Sequence, residues 1–83
     1  MPKIYEEANL EFFFYSSDMD EPPHIHIEYK EGGVIKVWLL TLKLARVRGG
    51  MPHHKQTQAL QIIEVKKKYF LERWNEFFQE VKK

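Results

Sequence analysis

His24 and His26, two residues apart, are the side chains of this 83-residue chain whose type and spacing best suit chemistry. Successive strand residues point to opposite faces, so in an extended segment both imidazoles share one face and Ile25 and Ile27 share the other. Same-face neighbours lie about 6.7 Å apart, close enough for two neutral ring nitrogens to converge on one metal ion. The same pair suits acid–base work, because an ordinary imidazole titrates at about pH 6.5. A third ligand is harder to supply. Glu28 is four residues from His24, about 13 Å along a strand, which leaves Asp18, Asp20 or Glu31 in the flanking loops. Two histidines without a third ligand read as hydrogen-bonded residues of a sheet face, so no metal and no cofactor is expected. A His24–His26 metal site is the alternative.

The remaining candidates are binding groups. Phe13, Tyr15 and Trp38 fall in phase with the histidine face if their segments are neighbouring strands, giving a mixed aromatic and polar contact surface with His24 and His26. Arg46 and Arg48 alternate onto one strand face and, with Lys43 and Lys55 nearby in sequence, form a basic stripe that would hold phosphate. His53-His54-Lys55 begins a helix, where N–H groups favour an anion. Adjacent helical residues point about 100° apart, however, so a surface role is the better reading of the two histidines. Ser16 and Ser17 lack the glycines of a nucleophile elbow, and Gly32-Gly33 and Gly49-Gly50 lack the spacing of a phosphate loop. The spacing His24-x-His26-x₄-Glu31 superficially matches the cupin metal motif, but its flanking glycine and second motif are missing. An enzyme is not the favoured reading.

Composition bounds the class. Hydrophobic residues make up 43% and aromatics 14% of the chain, too apolar for disorder, and no apolar run approaches the roughly 18 residues of a membrane span. There is no cysteine, which excludes disulfides and thiolate chemistry. With no signal-peptide pattern at the start, a reducing cytoplasm is the expected location and no membrane partner is expected. A net charge of +1 conceals an asymmetry: residues 1–31 hold eight acids against Lys3 and Lys30, whereas residues 32–63 hold five basic residues and no acid. The two stretches either neutralise each other within the fold or offer opposite poles to a partner.

The elements that must carry these residues are legible in the pattern. Strands are expected over about 10–16, 24–29 and 34–40, with Pro22-Pro23 at a strand entry and Gly32-Gly33 closing a hairpin. Residues 42–48 suit a strand or a short helix, and a strand at 42–47 is favoured. A helix is expected over about His53 to Glu80, and the positions Leu60, Ile63, Phe70, Trp74, Phe77 and, just beyond it, Val81 form a seam interrupted by Lys67. Unbroken, that helix would run about 42 Å at 1.5 Å per residue. It should therefore bend or divide near 66–68, or send one half onto a second copy.

The order Met1-Pro2-Lys3-Ile4, Phe13-Phe14-Tyr15-Ser16, Pro22-Pro23-His24-Ile25-His26-Ile27, Val37-Trp38-Leu39 and Trp74-Asn75-Glu76-Phe77 resembles the prokaryotic family Domain of Unknown Function 4160 over nearly the whole chain. The resemblance implies a small bacterial protein, often encoded beside one of the Domain of Unknown Function 2442 type, in a two-gene module like a toxin–antitoxin pair. Many members carry a histidine soon after the aspartate preceding the prolines; here Asp18 is followed by Met19, which counts against a three-histidine site. The expectation is one α+β domain: a three- to four-stranded antiparallel sheet followed by C-terminal helical segments packed on one face. Its expected role is a protein-interaction module whose partner is a small protein encoded nearby or a second copy. The alternative is a metal-dependent or nucleic-acid-acting effector using His24 and His26 with Arg46, Arg48 and Lys55; nucleic acid is not favoured.

Overall fold

A computed structural model describes residues 3–15 and 21–82, without the side chains of residues 79–82. Five strands form one antiparallel sheet in chain order: β1 (Lys3–Glu7), β2 (Leu10–Phe13), β3 (His24–Tyr29), β4 (Val34–Trp38) and β5 (Leu44–Arg48). Two helices follow, α1 (His53–Val65) and α2 (Lys67–Lys82). The α+β class stands, and the strand count exceeds the expected three to four by the N-terminal strand.

That first strand is hidden in the sequence because its turn is made by Ala8 and Asn9, both at positive φ (54° and 65°), without the glycine that announces such hairpins. Two contacts hold the turn in place. The Lys30 N–H donates to the Asn9 carbonyl at 3.0 Å, and the Lys55 ammonium donates to the Ala8 carbonyl at 3.0 Å. The expected strand 10–16 stops at Phe13, although Phe14 stays fully buried beyond it. Strand 34–40 stops at Trp38, where a turn bonds Leu42 N–H to the Trp38 carbonyl and holds Leu42 at φ 61°.

Alternation delivers one face of the sheet wholly to the core. Phe12, Ile27 and Ile35 form one cross-strand row of that face, and Ile25 and Val37 another. All five are buried, as is Leu39 just beyond β4. The helices cover this face through Ala59, Ile62 and Ile63 of α1 and Phe70, Trp74 and Phe78 of α2. Phe70 stacks on Phe12 at 5.3 Å between centroids. Leu60 and Phe77, expected in the seam, sit beside it half-buried, because the chain leaves the helical path at Lys66 (φ −106°, ψ 20°) and α2 resumes in a new phase. The seam's one charged position is accounted for: the Lys67 ammonium donates to the Leu40 carbonyl at 3.0 Å, satisfying a turn acceptor. The molecule's longest extent is 38 Å, shorter than the unbroken helix would need.

Gly33 ties the β3–β4 turn to the segment entering α1. Its φ is 102°, and a Cβ there would stand 2.4 Å from the Met51 nitrogen. Only glycine fits both demands.

Candidate functional site

The other face of the sheet carries the chemistry expected from the sequence. One cross-strand row reads Phe13, His26, Lys36, Arg46, and the next reads Glu11, Glu28, Val34, Arg48. His24 pairs with Trp38. The face therefore grades from aromatic and acidic at β2 to cationic at β5.

The two histidines have different environments. The prolines before them have no N–H to place in the sheet and present two carbonyl acceptors. The Pro23 carbonyl accepts from Leu39 N–H at 3.0 Å, and the Pro22 carbonyl lies 2.9 Å from His24 Nδ1. A carbonyl oxygen only accepts, so Nδ1 carries the proton and donates. The His24 ring is 0% exposed, within 5.2–5.4 Å of His26, Trp38 and Trp74. The expected contact role of His24 is corrected on that ground: with no surface to offer, it buttresses His26 and links the outer face to α2. His26 is half-buried, stacked on Phe13 at 5.7 Å and meeting Tyr15 edge-on at 4.5 Å.

Phe13 is likewise corrected from contact residue to support. Only 5% of it is exposed, under Tyr15 and His26. Tyr15 and Trp38 retain exposed surface. Lys36 crosses the Trp38 ring at 4.8 Å and donates to Glu21 Oε1 at 2.5 Å, and the same carboxylate oxygen lies 3.8 Å from His24 Nδ1.

Beside these residues opens a cleft of about 320 Å³ lined by Tyr15, Glu21, His26, Val34, Lys36, Arg46 and Arg48, with Ile35 at its base. Arg46 and Arg48 are joined there as their spacing implied, and neither meets a carboxylate among the described residues. Lys55 is not part of this group. Its ammonium is held by Ala8 and Gln58 and sits 5.3 Å from the Tyr29 ring centroid, so the expected stripe Arg46, Arg48, Lys55 divides. Glu21 is the site residue that sequence reasoning passed over, while the phase of its strand puts Lys36 on the histidine face with Trp38. The Gly32-Gly33 hairpin carried the signal for Lys36, since closing it sets Lys36 opposite His26.

Among the described residues no group of three or more histidines and carboxylates is placed to hold a metal ion; Glu31 accepts instead from the Tyr29 hydroxyl at 2.6 Å. Asp18, Met19 and Asp20, named in the sequence argument, lie outside the described residues, as do Ser16 and Ser17. Among the described residues no helix is long and apolar enough to cross a membrane.

Residues 9–75 match the family described as Domain of unknown function (DUF4160). No curated protein and no solved structure matches the chain.

Proposed function

The chain belongs to the DUF4160 family, and we propose that it is a protein-interaction module whose outer sheet face receives a carboxylate-bearing segment of a partner protein. The observation that carries this reading is the convergence of Lys36, Arg46 and Arg48 with Tyr15 and His26 around one cleft. A planar guanidinium offers paired donors to a carboxylate, and an aromatic rim supplies the apolar contact that anchors protein interfaces. The partner is a small protein encoded nearby in a bacterial two-gene cassette of toxin–antitoxin type, acting in the cytoplasm. A second copy of this chain is the competing occupant.

The nucleic-acid effector loses ground on the same face. Single-strand binders stack bases on open aromatic rings, whereas Phe13 is covered and Lys36 occupies one side of Trp38. Glu11, Glu21 and Glu28 add negative charge to that face, and Lys55 is engaged elsewhere. The test is association. R46E/R48E should release the partner identified by pull-down from the native cell and reconstituted for sedimentation, and unchanged association would sink the reading. Salt-sensitive RNA binding lost in the same variant would favour the effector instead.

A further inference from the structure

The two edges of the sheet are finished differently. At β1, the chain closes its own edge: the Tyr69 hydroxyl of α2 donates to the Ile4 carbonyl at 3.0 Å, Lys66 lies 4.8 Å from the Tyr5 ring centroid, and the register slips between Lys3 and Tyr5. Such cover, with charges and bulges, is how edge strands are kept from pairing with other chains. At β5 the bulge and the charges are present, but the helix cover is not. All five residues are exposed, and among the described residues no hydrogen bond or ion pair joins β5 to a helix.

The side chains of β5 are sorted by face. A bulge at Ala45 lets Arg46 pair with Lys36 while Leu44 pairs with Val37, which puts Leu44 and Val47 on the core side and Arg46 and Arg48 on the cleft side. Leu44 and Val47 are nonetheless 40% and 45% exposed. An antiparallel edge strand also directs half of its N–H and C=O groups outward. The edge thus offers backbone pairing, an apolar row on one side and a cationic row on the other.

We propose that β5 is completed by an extended segment of a partner chain that alternates acidic and apolar residues and joins the five-stranded sheet as an additional strand. Its acids meet Arg46 and Arg48 while its apolar side chains cover Leu44 and Val47; main-chain bonds supply affinity and alternate side chains supply selectivity. A second copy fits poorly, since a two-fold pairing of β5 centred at Arg46 would oppose arginine to arginine, and like charges directly opposite destabilise a sheet. This inference rests on the interaction reading above and adds the mode of docking.

The probe is a synthetic hexapeptide alternating glutamate and valine, titrated into ¹⁵N-labelled protein. Binding should shift the amide signals of Arg46, Val47 and Arg48 and slow their hydrogen exchange. An analogue N-methylated at alternate residues should bind at least tenfold more weakly, and Val47→Glu, with an unchanged circular dichroism spectrum, should lose at least as much. Failure of the hexapeptide to bind overturns strand addition. Equal binding of the N-methylated peptide also overturns it, and if R46E/R48E still abolishes binding, carboxylate docking in the cleft survives. Should R46E/R48E bind peptide and native partner like the wild type, both readings fall.

Discussion

The β1 and β5 edges are built from strands of equal length, each with a register slip, yet one is sealed and the other open. At β1 the seal is tertiary. Tyr5 packs 5.7 Å from Phe12 and 6.0 Å from Phe70, so the edge strand is part of the aromatic core and α2 reaches its backbone through Tyr69. At β5 the side chains aimed at the core side, Leu44 and Val47, stay 40% and 45% exposed. The difference teaches that edge protection here depends on where two helices run out of reach, and that the unprotected edge is the one bordering the cationic cleft.

The comparison can be broken most severely at Phe70. Phe70→Ala removes a fully buried ring that bridges β2 and the Tyr5 contact, and should cost about 3–5 kcal/mol in urea unfolding. If the loss were under about 1 kcal/mol, β1 would not depend on α2 as described. Tyr69→Phe keeps the ring and deletes the bond to the Ile4 carbonyl; a loss of about 1 kcal/mol is expected, with faster amide exchange confined to β1. Exchange rising equally in β5 would erase the distinction.

A smaller effect belongs to Glu6, whose carboxyl is held down at about 2 by the Lys3 ammonium first and then by Lys30. A carboxyl depressed in the folded state stabilises fully above its unfolded value near 4.5, and that contribution is lost as pH falls towards about 2. The group is exposed and screened, so the change should be local. Carboxyl NMR of Glu6 should titrate near 2 in wild type and move up in Lys3→Ala; an unmoved midpoint would remove the ion pair from the account. The smallest effect is expected at the open edge itself. Val47→Ala should alter stability by less than about 0.5 kcal/mol, because nearly half of the side chain is already exposed. A large loss in equilibrium unfolding would mean that β5 is anchored in a way the contacts do not reveal.

Much of this was legible beforehand where residue type and local geometry agree. Pro22-Pro23, Gly32-Gly33 and Pro52 marked elements at or near their observed limits, and strict alternation in β3 and β4 assigned both faces. The strand missed entirely, β1, is followed by a turn without glycine, in which Ala8 takes a positive φ that alanine seldom adopts; tertiary bonds from Lys30 and Lys55 hold it there. In β5 the shared face of Arg46 and Arg48 follows from alternation, and the place of Leu44 does not. Simple alternation groups Leu44 with Arg46 and Arg48, while the Ala45 bulge separates them.

At the site the sequence placed His24, His26, Phe13, Tyr15 and Trp38 on one face, and that placement follows from the two-residue period of a strand once neighbouring strands pair. Exposure did not follow from it. Which imidazole reaches solvent depends on Trp74, fifty residues further along and brought over His24 by the break at Lys66. What the amino-acid sequence determined by itself is local: the strand periods, the donor-free prolines, the apolar helical seam and the interruption at Lys67. What only the tertiary structure decided is contact between distant segments. It buried His24 and Phe13, drew Lys55 away from Arg46 and Arg48, and closed one sheet edge while leaving the other open, because burial and charge pairing are set by which surfaces meet.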